Sequence, residues 1–123
     1  MAKHNQLGKL GETEACAFLE KNGYFIREQN WHSSHKELDI VAERDGWLVI
    51  VEVKTRTGQQ WDPPEMAVNQ QKIRHIVQAA HHYVRLHQID LPVRFDIVTV
   101  VFNPESTAIE HFEDAFLATH ATH

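Results

Sequence analysis

Two runs of strand-forming residues on either side of one turn signal constrain this chain most. Residues 37–42 and 47–54 are rich in branched aliphatic side chains, and Asp45-Gly46 stands between them. An Asp-Gly pair between two such runs favours a two-residue type I′ turn, because both turn positions need a positive φ. The sequence therefore predicts an antiparallel hairpin in which Arg44 pairs with Trp47 and the pairing continues outward from there.

The predicted register brings two carboxylates face to face. Asp39 falls opposite Glu52, and Glu37 falls opposite Lys54. Directly opposed side chains have Cβ atoms about 4.5–5.5 Å apart, and like charges at that spacing destabilise a sheet. Asp39 and Glu52 therefore need a nearby cation, which either Lys54 or a divalent metal ion would supply.

The two faces of the predicted hairpin differ in polarity, because alternate positions of a strand share a face. One face is apolar throughout and is expected to pack on a core: Leu38, Ile40, Ala42, Val49, Val51 and Val53. The other face is half apolar and half charged: Val41, Leu48, Ile50, Glu37, Asp39, Glu43, Glu52 and Lys54. Most of its charged residues gather at the end away from the turn.

These residue types predict a Mg²⁺ or Mn²⁺ site. Hard cations prefer oxygen ligands, usually one or two carboxylates completed by water and phosphate. Asp39 and Glu52 would supply the carboxylates, and the backbone carbonyl of Val53 a further ligand. Such a cation polarises a phosphoryl oxygen and lowers the pKa of bound water, while Lys54 would orient that water, help deprotonate it or stabilise charge at phosphorus. The alternative is a plain hairpin with a surface salt bridge from Lys54 to Glu37 or Glu52, and the spacing alone fits both.

The rest of the chain predicts an α/β sandwich in the order α-β-β-β-α-β, with a short extra strand, rather than a repeated βαβ array. The expected elements are a helix from about Gln6 to Asn22, a strand from Tyr24 to about Gln29, a polar loop with Asn30, Ser33 and Ser34, the hairpin, a helix from about Glu65 to Leu86, and strands at Val93 to Phe102 and Thr107 to Phe112. No repeat or linker divides the sequence, so one domain is expected over residues 1–123.

Composition narrows the classes of function. The net charge of −5 speaks against a protein that coats nucleic acid nonspecifically, since those are usually basic. A site-specific nuclease must hold several carboxylates and remains compatible with that charge. Cys16 is the only cysteine, and the chain has neither a signal-like apolar start nor a run of about 20 apolar residues, so a cytoplasmic protein without a membrane partner is expected. The ten histidines lack the spacing of a zinc site.

The motifs of the hairpin resemble a nuclease signature. Asp39, then Glu52-Val53-Lys54 at the end of a hydrophobic strand, is similar to the PD-(D/E)xK pattern of the restriction-endonuclease-like superfamily. More narrowly, nearly the whole chain resembles the YraN-like family of uncharacterised bacterial proteins, which is related to archaeal Holliday junction resolvases. The segments that carry this resemblance are residues 8–12 with Ala15, 37–42, 51–56, Lys72, 94–98 and 111–116. One departure is Lys36, which stands where the family usually has Gly.

The resemblance implies a restriction-endonuclease-like α/β fold, with a central mixed β-sheet flanked by helices. It implies that Asp39, Glu52 and Lys54 are the metal-binding and catalytic triplet, and that Glu12 adds a carboxylate from the first helix. The implied activity is Mg²⁺- or Mn²⁺-dependent hydrolysis of phosphodiester bonds in DNA, with branched or structured DNA as the expected substrate. A four-way junction needs two cuts, so a symmetric homodimer is expected for that substrate.

Basic side chains near the hairpin and the long helix are candidate phosphate contacts, namely Lys36, Arg56 and Lys72. Arg74 equally fits a solvated helix face, and Arg94 equally fits an ion pair with Asp96. Two other classes of function stay open from the sequence. One is a non-catalytic nucleic-acid-binding or DNA-processing accessory protein that retains the nuclease fold, and the other is a small structural partner in a larger complex.

Overall fold

A mixed five-stranded β-sheet lies between two α-helices in the computed structural model, which describes residues 2–58 and 69–116, with side chains from residue 6 onward. The elements are α1 (Ala2–Lys21), β1 (Phe25–Ser33), β2 (Lys36–Arg44), β3 (Trp47–Thr57), α2 (Gln70–Leu86), β4 (Val93–Phe102) and β5 (Thr107–Phe112). The strands stand in chain order, with β3 and β4 parallel and the other neighbours antiparallel. The predicted restriction-endonuclease-like α/β fold is confirmed, including the short last strand.

The central hairpin forms as the Asp-Gly signal predicts. Asp45 has φ 52° and Gly46 has φ 82°, the two positive values that a type I′ turn requires. The paired residues of β2 and β3 run from Arg44 opposite Trp47 to Ile40 opposite Val51, which is the predicted register.

Several element boundaries differ from the predictions. Asn30 and Ser33 belong to β1, and the loop predicted there is wrong because pairing with β2 continues to Ser33 opposite Lys36. The first helix begins earlier than Gln6, at Ala2. The second helix begins at Gln70, because Asn69 is extended and its side chain caps the helix by accepting the N–H of Lys72 at 2.8 Å. The predicted start near Glu65 lies outside the described residues.

Both faces of the sheet are buried, each under one helix. The α1 side holds Ala15, Cys16, Leu19, Tyr24, Ile40, Ala42, Val49, Val51, Val98 and Val100. The α2 side holds Leu38, Val41, Leu48, Ile50, Ile73, Ile76, Ala79, Ala80, Tyr83, Phe95, Ile97 and Phe116. Alternation is therefore as predicted from Ile40 onward, but Leu38 packs on the opposite face from Ile40, and its predicted place is wrong. The regular alternation of β2 breaks at Asp39, just beyond the last residue of β2 that pairs with β3.

Neither α1 nor α2 combines the length and apolar character needed to span a bilayer, within the part of the chain that the structure describes.

Candidate metal centre

Asp39 and Glu52 meet where β2 and β3 part. Beyond Ile40 opposite Val51, the Oδ2 atom of Asp39 accepts the backbone N–H of Val53 at 2.8 Å. A side-chain carboxylate thus takes an N–H of β3 just past the last paired residues. Val53 directly follows Glu52, and the charge of Asp39 acts on the Glu52 carboxyl group, so the structure brings the two predicted acids close together.

Glu52 is one of the few buried acids in the described residues, with only 6% of its surface exposed. Burial raises the pKa of Glu52 well above its ordinary value, and the hydrogen bond and charge of Asp39 raise it further. Two acids held this close together favour a positive charge beside them.

Two lysines supply further positive charge to this pair. The Nζ atom of Lys72 lies 3.8 Å from Oε2 of Glu52, and about half of its side chain is exposed. Lys54 stands two residues after Glu52 on β3, and the charges of both lysines lower the pKa of Glu52 against the larger effect of burial. Positive charge thus reaches Glu52 from Lys54 on β3 and from Lys72 in the first turn of α2.

A third carboxyl group approaches from α1. Burial raises the pKa of Glu12 to about 7, and the charges of Asp39 and Glu37 contribute to the rise. Glu12 belongs to α1, which packs on the sheet face that holds Val49 and Val51. Glu37, which the sequence placed opposite Lys54, is exposed and forms a 3.7 Å ion pair with His32 when that ring is protonated.

The remaining predicted residues differ in accessibility. Val53 is half-buried, and its N–H is already used by Asp39. Lys36 is half-buried at the start of β2, whereas Arg56 has only 8% of its surface exposed, which is little for a residue expected to contact phosphate. Lys72 is therefore the most accessible of the predicted phosphate contacts.

The donor set fits a hard divalent cation. Within residues 2–58 and 69–116, no three His, Cys, Asp or Glu side chains form a complete ligand group. Mg²⁺ and Mn²⁺ do not need one, since such ions keep several waters and take one or two protein carboxylates. Asp39 and Glu52 offer oxygen ligands of this kind, whereas zinc sites are usually built from nitrogen and sulfur ligands.

The sequence predicted only one ion pair of a buried network on β4, the pair of Arg94 and Asp96. Asp96 is fully buried, and both of its oxygens accept bonds from Arg94, at 2.9 and 2.8 Å. His111 lies 2.7 Å from the same carboxylate, and the N–H of Asp114 donates to it at 3.0 Å. Arg94 therefore serves the fold, which decides between the two roles that the sequence left open for it. His111 lies on β5 and Asp114 lies just after it. The sequence around Asp96 gives no signal for contacts with either residue.

This fold and site define a class: a small α/β domain of restriction-endonuclease-like architecture, with an acid pair and a lysine where two central strands separate. Within that class the chain belongs to Uncharacterised protein family UPF0102, whose family model matches residues 11–100. This is the YraN-like family that the motifs indicated, so that identification is confirmed.

Curated relatives extend the match to nearly the whole chain. A UPF0102 protein of Bacteroides thetaiotaomicron is 53% identical over 116 residues, which cover 94% of this chain and 96% of that protein. Similar proteins occur in Parabacteroides distasonis, at 52% over 118 residues with 96% and 98% covered, and in Flavobacterium psychrophilum, at 47% over 116 residues with 94% and 98% covered. Their names state the family and no activity.

Proposed function

We propose that this protein is a Mg²⁺- or Mn²⁺-dependent endonuclease that hydrolyses phosphodiester bonds in DNA. The observation that carries the proposal is the buried Glu52, 6% exposed, which lies next to Asp39 and forms an ion pair with Lys72 of α2, with Lys54 two residues further along β3. Burying an acid beside another acid is costly for folding alone. The cost is understandable if a bound cation neutralises the two carboxylates in the working protein.

Each side chain has a distinct task in this proposal. The N–H of Val53 fixes the orientation of Asp39, and burial fixes Glu52, so the two carboxylates form a rigid ligand pair. A bound divalent cation supplies charge neutralisation at the phosphate and a water of lowered pKa. Lys54 orients that water and stabilises the negative charge that develops at phosphorus. Glu12 adds a carboxylate from α1.

The proposed substrate is branched or structured DNA, in keeping with the resemblance to Holliday junction resolvases. Lys36, Arg56 and Lys72 are the proposed contacts to the phosphate backbone. A symmetric homodimer would present two acid pairs, as the paired cuts of a four-way junction require. We infer a cytoplasmic site of action from the single cysteine and the ordinary composition of the chain.

The activity is tested by incubating labelled linear, flap and four-way DNA with the full chain and Mn²⁺. Cleavage is expected with wild type and with Lys21→Ala, an exposed lysine at the far end of α1, but not with Lys54→Ala. In parallel, Mn²⁺ is expected to raise the Tm of wild type but not of Asp39→Ala or Glu52→Ala. An equal rise in all three proteins would rule out the metal site. Binding of DNA and Mn²⁺ without cleavage would instead favour an accessory protein that keeps the fold.

Replacing Lys72 is expected to strengthen metal binding and to slow catalysis. Its ammonium group lies 3.8 Å from Glu52, so it competes with any cation that this carboxylate binds. Lys72→Gln is expected to tighten Mn²⁺ binding by up to about fivefold, which is what a partly exposed ion pair is worth. The same variant is expected to cleave DNA more slowly, because a phosphate contact is lost.

Titration calorimetry with Mn²⁺ at low and at high salt measures this effect, which shrinks as salt screens the exposed lysine. Arg74→Gln is the matched control, since Arg74 lies two residues further along α2. Unchanged or weaker Mn²⁺ binding by Lys72→Gln would contradict the competition between lysine and metal.

A further inference from the structure

Helix α2 differs in charge from the rest of this protein. The whole chain has 12 lysines and arginines against 17 aspartates and glutamates, which gives a net charge of −5. Three of the basic residues and none of the acidic ones lie in α2, which covers Gln70–Leu86. Lysine and arginine concentrated along one helix are the electrostatic mark of a contact with nucleic acid.

The outer surface of α2 is a continuous row of hydrogen-bond donors, which we call the α2 stripe. It consists of five exposed residues that recur at the spacing of one helix face: Gln71, His75, Gln78, His82 and Arg85. The opposite face of the helix is apolar and packs on the sheet. Arginine and glutamine side chains are common contacts of DNA phosphates, and a histidine ring offers an N–H donor as well. The stripe therefore suits a ligand that presents a row of anionic oxygens.

Arg85, at the far end of the stripe, is accessible to a ligand. Its side chain is exposed, and it has no ion-pair partner among the residues that the structure describes. It lines an open, mostly polar groove of about 480 Å³ together with Gln78, His81, His82 and Leu86. A guanidinium group in such a groove, without an anion of the protein beside it, is available to an anion from another molecule.

The other end of α2 lies at the candidate metal centre. In the first turn of the helix, the Nζ atom of Lys72 is 3.8 Å from Oε2 of Glu52. Helix and acid also share one face of the sheet. Leu48 and Ile50 of β3 pack on the α2 side, and β3 pairs with β4 without a break, so alternation places Glu52 and Lys54 on that side too. A ligand bound along α2 therefore lies on the sheet face that carries Glu52.

The length of α2 fits a short stretch of duplex DNA. An α-helix rises 1.5 Å per residue, so Lys72 and Arg85 stand about 20 Å apart along the helix axis. A duplex advances about 3.4 Å per base pair, so this distance corresponds to about six base pairs. Surfaces that bind single strands add aromatic side chains on which the bases stack, and the α2 stripe contains no Trp, Tyr or Phe. The stripe therefore favours the backbone of a duplex over a single strand.

We propose that Lys72 and the α2 stripe bind the phosphate backbone of a duplex DNA arm, over about six base pairs that lead away from Asp39 and Glu52. The inference rests on the proposed function, because it states how the substrate of that site is held. It assigns Arg85 a contact with substrate at the end of the arm furthest from the acids.

Binding is tested by fluorescence anisotropy with the full chain, a labelled duplex longer than the stripe, and EDTA to prevent metal-dependent cleavage. Arg85→Gln is expected to weaken binding at low salt by about fivefold, and to reduce the slope of log K against log salt by about 0.9, the value of one phosphate contact. Lys21→Gln is the matched control, since it removes the same charge from an exposed residue of α1. It is expected to bind as wild type does.

Two results would overturn the inference. One is an affinity and a salt slope of Arg85→Gln that equal those of Lys21→Gln, which would leave the outer face of α2 to a protein partner. The other is a loss of affinity on single-stranded DNA that matches the loss on the duplex. Both replaced side chains are exposed, so both variants are expected to keep the Tm of wild type.

Cleavage with Mn²⁺ tests the path of the DNA from the acids to Arg85. On DNA that wild type cuts, the duplex on either side of the cut is shortened in steps. Arg85→Gln is expected to slow cleavage only while one arm is longer than about six base pairs, because a shorter arm offers Arg85 no phosphate. Slowing that is equal at every arm length would overturn the proposed path. Absence of cleavage by wild type would refute the proposed function, and the anisotropy measurement would still decide whether α2 binds duplex DNA.

Discussion

Glu52→Gln is expected to lower Mn²⁺-dependent DNA cleavage by more than about a hundredfold, because even the loss of an outer partner of a metal ligand costs about 10–100-fold. The amide keeps the shape of the side chain but cannot supply the charge that a divalent cation needs. Initial rates on the DNA that wild type cleaves best measure the effect. Glu110→Gln, which removes an exposed acid of β5, is the control and is expected to cleave as wild type does.

The same substitution is expected to stabilise the metal-free protein. Burial, with the hydrogen bond and charge of Asp39, raises the pKa of Glu52 in the folded state. The folded protein therefore binds more protons than the unfolded chain above the ordinary pKa of 4.5, and its stability falls as pH rises from there toward the folded pKa. Glu52→Gln does not titrate, so its advantage in urea unfolding is near zero at acid pH and grows toward neutral pH.

Mn²⁺ is expected to reverse this order by stabilising wild type alone. A Glu52→Gln protein that is less stable than wild type at neutral pH without metal would show that the carboxylate serves the fold itself. In that case the buried acid would no longer support a metal centre.

Asp96→Asn is expected to destabilise the protein by about 3–5 kcal/mol, the usual cost of removing one partner of a buried ion pair. Asp96 is fully buried and accepts two bonds from Arg94, whose side chain is only 16% exposed. Without the carboxylate, the guanidinium stays in the fold with its main partner gone. Urea unfolding at neutral pH measures the loss.

Glu113→Gln is the matched control, because it removes an exposed partner of the same arginine, Arg94. Glu113 lies 3.6 Å from Arg94, but its side chain is 59% exposed, so the variant is expected to lose less than about 1 kcal/mol. Equal losses in the two variants would contradict the view that burial makes Asp96 important.

The contribution of Asp96 to stability depends on pH with the opposite sign to that of Glu52. Burial acts to raise the pKa of Asp96, but hydrogen bonds from His111, Arg94 and the N–H of Asp114 outweigh it and hold the pKa below its ordinary 3.8. The stabilisation is therefore present above that value and is lost as pH falls through the folded pKa. The difference between wild type and Asp96→Asn shrinks accordingly in strong acid.

The sequence was most informative where structure is decided by neighbours along the chain. The Asp45-Gly46 turn and the register of its hairpin follow from local backbone preferences, and the register in turn brings Asp39 toward Glu52. The sequence was misleading where contacts between residues far apart along the chain decide the structure. Leu38 packs on the α2 side of the sheet, just beyond the last residue of β2 that pairs with β3, and Ser33 lies in a strand because its partner Lys36 continues the ladder.

Glycine in the first helix shows the same limit. Gly8 and Gly11 both weaken a predicted helix start, and propensity cannot tell them apart. Only the position of Thr55 does, and that residue is far away in sequence. A Cβ atom added to Gly11 would lie 1.9 Å from Oγ1 of Thr55, whereas one added to Gly8 would meet nothing within 4 Å. Lys72 was foreseen as a phosphate contact, but its ion pair with Glu52 depends on where α2 begins, which the cap at Asn69 fixes.

The two-residue turn also determines how the acids face each other at the other end of the hairpin. Side chains alternate along a strand, so slipping β2 against β3 by one residue would carry Asp39 to the other surface of the sheet. An insertion between Asp45 and Gly46 would therefore displace Asp39 relative to Glu52, although both acids would still be present in the sequence. The geometry of the metal centre is thus fixed in part by backbone dihedral angles that lie at a distance from it.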